Sequence, residues 1–215
     1  DRSTPAGLFL TSFIRYPVMM SPRLFAPLAS LLVLSLQAEE PKGPPPGHDH
    51  AAHGSAQDNA APPKPANFIT WEAEKTVHLT IVAAYNGANY GMNFNGFAKG
   101  GATYTIPEGW TVKVTFRNAS PVPHSAIVVE EGMVKKLQVG DPYFEGASTP
   151  NPLVGTTNKE ESFTFTAAEA GDFVIACGFP THAINGHWIK FIIDATAKAP
   201  SLQFGEDAPF LPKAP

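Results

Sequence analysis

From Phe68 onward, apolar and polar residues alternate or cluster in short runs rich in β-branched and aromatic side chains. "TVHLTIVAA" (76–84), "ATYTI" (102–106), "WTVKVTFRN" (110–118), "SAIVVE" (125–130), "SFTFT" (162–166), "DFVIAC" (172–177) and "HWIKFIID" (187–194) predict strands. The turn-forming stretches "PEG", "NASPVP", "NPLVG" and "EAGD" separate them. In "IPEGW", Pro107 presets φ and Gly109 tolerates a positive φ, so a tight turn hands one strand to the next. No comparably long segment carries helical periodicity with caps, apart from a turn near residues 132–140. Seven short strands over about 130 residues predict an all-β domain, a Greek-key antiparallel β-sandwich.

The pattern lapses from Glu131 to Glu161, a stretch long enough to be a functional loop or a family insertion. It lapses again after Asp194, where residues 196–215 read as a proline-rich tail with Phe204 and Phe210 as docking points on the sandwich. The domain is therefore expected to span residues 67–195.

Upstream the texture is different. Residues 39–66, "EEPKGPPPGHDHAAHGSAQDNAAPPKPA", are rich in proline, alanine and glycine and hold too few large apolar groups to offset the entropy of ordering, so they read as a disordered linker. Within it His48, His50 and His53 form a weak copper or zinc motif with no rigid element to fix its geometry; a solvated linker is the plainer reading. Residues 19–38, "MMSPRLFAPLASLLVLSLQA", have the single arginine, apolar run and terminal small residue of a secretory signal. An uncleaved signal would serve as a membrane tether. Met19 and Met20 suggest that residues 1–18 lie upstream of the true start. Export, to a periplasmic or other extracytoplasmic space, is the expectation.

Removing residues 1–38 takes away Arg2, Arg15, Arg23 and Asp1 from 15 basic and 19 acidic residues, leaving 12 against 18, a formal charge of −6. An acidic chain without a basic run has no electrostatic footprint for nucleic acid. With Cys177 as the only cysteine, an internal disulfide is excluded. The thiol is then buried and inert, reactive, or a metal ligand.

"CGFPTHAINGHWIKFII" bears on that choice. Cys177 ends a predicted strand, His182 lies in the following loop and His187 opens the next strand, so one short connection presents three donor groups. His124, in "NASPVPHSAIVV", adds a fourth on a loop restrained by Pro121 and Pro123. A thiolate with imidazoles suits copper or zinc, and residue type alone does not separate them. The bland alternative is a small buried cysteine with two satisfied histidines. Elsewhere "GFAKGG" lacks the lysine and strand-to-helix setting of a phosphate loop and reads as a hairpin. Trp71, Trp110 and Trp188 are expected to fill the core or to seal the site.

The segments "MNFNGFAKGGATYTIPEGWTVKVTFRN", "PHSAIVV" and "AGDFVIACGFPTHAINGHW" together resemble the sulfocyanins, blue copper proteins of the cupredoxin family, over residues 76–194. The resemblance implies a cupredoxin-like sandwich that binds one copper ion, with His124, Cys177 and His182 in the trigonal plane. It implies one-electron transfer with a redox partner protein, by a monomeric carrier rather than an enzyme. Two departures stand out. His187 occupies the position of the family's axial methionine, and an imidazole there would favour Cu(II), lower the reduction potential and make the site sensitive to pH. Met92, Met133 or the Pro123 carbonyl could stand on the axial side if His187 were a bystander. Ser125 follows the first histidine where many cupredoxins have asparagine, so a looser brace on the cysteine loop is expected. Phe179 and Pro180 are expected in an apolar docking patch next to His182. A copper-delivery protein and a small catalytic copper site binding nitric oxide or peroxide are the alternative functions.

Overall fold

A computed structural model describes residues 60–215. The segment expected to be a secretory signal and His48, His50 and His53 lie outside the described residues. Two sheets face each other. The first, in the order β1 (Ile69–Ala73), β2 (Thr76–Ala83), β4 (Thr111–Asn118), β6 (Lys159–Thr166), has four strands; the second has five, β5 (Ile127–Glu130), β7 (Gly171–Ala176), β8 (Trp188–Asp194), β3 (Ala102–Pro107), β9 (Ser201–Phe204). The expected sandwich is present, but two of its neighbouring pairs run parallel: β2 with β4, and β3 with β8. The chain leaves β2, forms β3 in the opposite sheet and returns as β4 beside β2. Such a crossover aligns the two neighbours, whereas a direct hairpin would oppose them.

Strict alternation places one face of each strand between the sheets. Val77, Leu79 and Ile81 of β2 and Val112, Val114 and Phe116 of β4 meet Tyr104, Ile106, Ile175, Ile189 and Phe191 from the other sheet. Cys177 belongs to this same core cluster.

The segment from 131 to 158 is the part of the chain the alternation pattern did not describe. It opens with a 3-10 turn at Glu131–Lys135, then runs beside β5, where Val128 donates to the Ala147 carbonyl and Tyr143 donates to that of Val128. Val134 and Val139 pack with Ile127, Val129, Val174, Ala176 and Ala183 on the outer face of the second sheet. This explains why Phe173–Ala176 is buried on both faces and reads as a continuous apolar run.

Two strands fall outside the seven expected from the pattern. β1 is an edge strand in which only Ile69 is fully buried. β9, within the segment read as a tail, pairs antiparallel with β3 and buries Leu202 and Phe204; Phe210 bridges back to Leu202. Among the described residues no helix is long and apolar enough to cross a membrane.

Candidate metal centre

The four residues singled out in the sequence converge at one end of the sandwich. Their ligand atoms all lie within 4.8 Å of one another. Cys177 directly follows β7 and His187 directly precedes β8, and the Cys177 N–H donates to the His187 carbonyl at 2.9 Å, closing the base of the loop between them. Inside the loop His182 donates its N–H to Phe179 O and accepts from His187 N–H, so the turn is held by its own backbone.

His124 comes from the β4–β5 connection. Asn118, at the end of β4, is fully buried and donates to the carbonyls of Val122 and Thr156 while accepting from Ser120 N–H. His124 then exchanges both backbone hydrogen bonds with Thr156. The 151–156 segment thus sits against both ligand loops. A Cβ on Gly178 would fall 2.8 Å from Pro152 O, and one on Gly155 2.9 Å from His124 O, so both glycines allow backbones to touch.

Ser125 ties the loops together. Its hydroxyl donates to Pro152 O at 2.7 Å, accepts from Gly178 N–H at 2.9 Å and lies 3.9 Å from Cys177 Sγ. The looser brace expected of a serine is therefore not what the structure has: because the 151–155 backbone comes so close, a short side chain spans the gap.

The protonation pattern of the donors decides what the cluster can do. His187 Nε2 lies 3.0 Å from the Asn93 carbonyl oxygen. A carbonyl only accepts, so Nε2 carries the hydrogen and Nδ1 is a bare lone pair. His187 Nδ1 and His124 Nδ1 are both buried without a hydrogen-bond partner. His182 Nδ1 faces Cys177 Sγ at 3.5 Å. Orphaned buried polar atoms are rare in native proteins and call for an explanation. A cation among them supplies one, and a thiolate with three imidazoles is a donor set for copper or zinc.

The electrostatics agree. Burial, with His182 nearby, pushes His124 down to about 3. Burial, with His124 and His182 alongside, holds His187 well below the ordinary imidazole range, and burial lowers His182 as well. All three rings are therefore neutral and available as donors near neutral pH. The Cys177 thiol is pushed up to about 11 by burial, against the hydrogen bonds it receives from Ser125 and Phe179. It becomes a thiolate when a metal replaces its proton.

His124, Cys177 and His187 are buried, whereas His182 is partly exposed and is the edge of the cluster nearest solvent. Phe179 packs on the His182 ring at 4.7 Å between centroids. Exposed Ile184 in the same loop, and Leu153 and Val154 in the adjoining 151–156 segment, add apolar surface. Beside His124 and His182 a cleft of about 200 Å³ is lined by Tyr90, Met92, Ser120 and Val122. Met92 thus borders the centre, but Met133 packs in the outer hydrophobic cluster. Trp71 and Trp110 pack against each other with tilted rings, Trp110 at the end of β4 remote from His124, and Trp188 packs on the outer cluster.

Two contributors escaped the sequence reading. Asn118 and Asn93 act through buried amides and carbonyls, and the only available signal was their presence in the "RNAS" and "NFNGF" stretches.

A family model described as the sulfocyanin (SoxE) domain matches residues 66–203. The chain is 29% identical over 136 residues to the sulfocyanin of Sulfolobus acidocaldarius, covering 60% of this chain and 68% of that protein. Among solved structures, reduced rusticyanin aligns at 27% identity over 56% of this chain and 77% of its own, with a TM-score of 0.40. Auracyanin A, a blue copper protein from Chloroflexus aurantiacus, aligns at 19% identity over 55% of this chain and 99% of its own, with a TM-score of 0.38.

Proposed function

Since this chain belongs to the sulfocyanin family, a family of blue copper electron carriers, we propose that it is an exported one-electron carrier holding a single copper through His124, Cys177, His182 and an axial His187. The observation that carries this reading is the pair of buried, partnerless Nδ1 atoms in a cluster whose four donor groups, a buried thiol among them, lie within 4.8 Å of one another. When bound, copper supplies a Cu(I)/Cu(II) couple.

The chain's own residues do the rest. The closed Cys177–His187 loop and the Ser125 bridge hold the donors in place, so little need move as the oxidation state changes. Burial of His124, Cys177 and His187 shields their donors from water, and the part-exposed His182 edge with its apolar rim is where a redox partner docks and electrons pass. Four protein donors, rather than the three that leave a catalytic metal an open position, favour electron transfer over binding of an outside ligand. An imidazole at the axial position favours Cu(II) and lowers the reduction potential relative to a thioether.

The test is the optical and EPR spectrum of the Cu(II)-loaded protein and of His187→Met. A green or red native site that becomes blue on substitution supports axial imidazole. A blue spectrum with narrow copper hyperfine splitting, unchanged by the substitution, removes His187 from the ligand set. Absence of any thiolate-to-copper band would overturn the copper centre itself.

A further inference from the structure

We propose that Asn93 is the positioning residue of the axial ligand, locking His187 in the tautomer that turns a bare Nδ1 toward the metal; this rests on the reading of His187 as a ligand given above. Asn93 lies in the connection between β2 and β3, far in sequence from the loops that carry the four donors. Its carbonyl receives two hydrogen bonds, from Ala84 N–H at 2.9 Å and from His187 Nε2–H at 3.0 Å. Both lone pairs of that oxygen are thereby used, and its direction is fixed.

The side chain explains why the carbonyl stays there. Asn93 is fully buried, and its amide makes four contacts with the surrounding loop. Oδ1 accepts from Tyr85 N–H (3.1 Å) and Gly96 N–H (3.2 Å), and Nδ2 donates to Asn86 O (2.8 Å) and Ala88 O (2.7 Å). Only an amide offers two acceptor sites and two donors on a side chain this short. The loop needs such a tether because Asn89 and Tyr90 both adopt left-handed backbone conformations, at φ of 50° and 58°. Phe94, the next residue, lies on the His187 ring with 4.2 Å between centroids and keeps water from the Nε2–H bond.

The tautomer matters because the alternative places a hydrogen on Nδ1, where it would block coordination. A second effect has the same origin: a carbonyl accepting from the distal ring nitrogen makes the coordinating nitrogen a stronger donor. The axial bond is thus tuned by a residue that never touches the metal.

The test begins with nitrogen NMR of the metal-free full-length protein labelled in histidine. The expected result is one His187 tautomer, protonated on Nε2, with a slowly exchanging ring proton. A proton on Nδ1 would overturn the proposal. In Asn93→Ala the ring proton should exchange at least about tenfold faster, the equivalent of one lost hydrogen bond, and both tautomers should be populated. In Asn93→Asp, which keeps the acceptors for Tyr85 and Gly96, the effect should be intermediate; this variant also serves if Asn93→Ala does not fold. A variant that merely lowers the denaturation midpoint, with tautomer and exchange unchanged, would assign Asn93 to stability alone and defeat the positioning role. The Cu(II) spectrum of His187→Met separates the two claims. If it matches the native spectrum, the ligand reading falls; if it differs while Asn93→Ala keeps the native tautomer and copper spectrum, only the positioning role falls.

Discussion

Acid should unfold the metal-free protein through the buried histidines of the cluster. His124 is 2% exposed and has its imidazole held down to about 3, while in the unfolded chain it titrates near the ordinary value of about 6.5. The folded-state value is depressed, so the unfolded state binds the extra proton, and stability present above about pH 6.5 is lost as the pH falls toward 3. At pH 5 the unfolded ring is almost fully protonated and the folded one is not. Those 1.5 pH units, at about 1.36 kcal/mol each, amount to about 2 kcal/mol from His124 alone. His187, fully buried and lowered in the same direction, adds to it with the same sign. Against a typical domain stability of about 5–15 kcal/mol, this is a large fraction. The assay is urea denaturation of the metal-free protein between pH 7.5 and 5, a window above the main carboxylate titrations. The free energy of unfolding should drop by at least about 2 kcal/mol across it. In His124→Gln the dependence should become shallower by about one proton, whatever the variant does to absolute stability. A flat profile, or a fall identical in the variant, would refute the view that these rings are folded in their neutral forms.

Two further outcomes follow from the packing of the ligand loops. Ser125→Ala removes the hydroxyl between Pro152 O and Gly178 N–H and leaves a buried N–H and a part-buried carbonyl unpaired; it should cost about 1–3 kcal/mol in urea denaturation and broaden the copper EPR signal. A nearly neutral result would mean that the 151–155 segment is not held by this bridge. Gly178→Ala forces a methyl group to within 2.8 Å of Pro152 O. It should destabilise by about 1–3 kcal/mol and weaken copper binding in a competition titration, and wild-type affinity would show that the loop yields freely.

Much of this arrangement was legible in the chain because strand alternation and donor chemistry are local properties. The seven strands could be read from two-residue periodicity, and Cys177, His182 and His187 could be singled out as candidate donors by their spacing, although copper itself was implied only by the family resemblance. β1 and β9 escaped for physical reasons. The first is an edge strand with one fully buried side chain, and the second is four residues long and follows Pro200, too short for alternation to declare itself. The covering of the outer face by residues 131–158 was likewise invisible, since Val134 and Val139 are isolated apolar residues that acquire a face only when Val174 and Ala176 lie beneath them. The fixing of His187 was the least accessible. It depends on a backbone carbonyl, which every residue has, brought in from 94 positions away.

That separation also governs the order of assembly. β3 cannot pair with β8 until Thr103 meets Lys190, and β9, which flanks β3 on its other side, lies near the end of the chain. Contacts so distant in sequence make for slow folding, because long loops must close before any reward is gained. Three donors share one short loop, but His124 joins them only when β5 pairs with β7, Ile127 opposite Ala176, so the full set of four exists only in the folded domain.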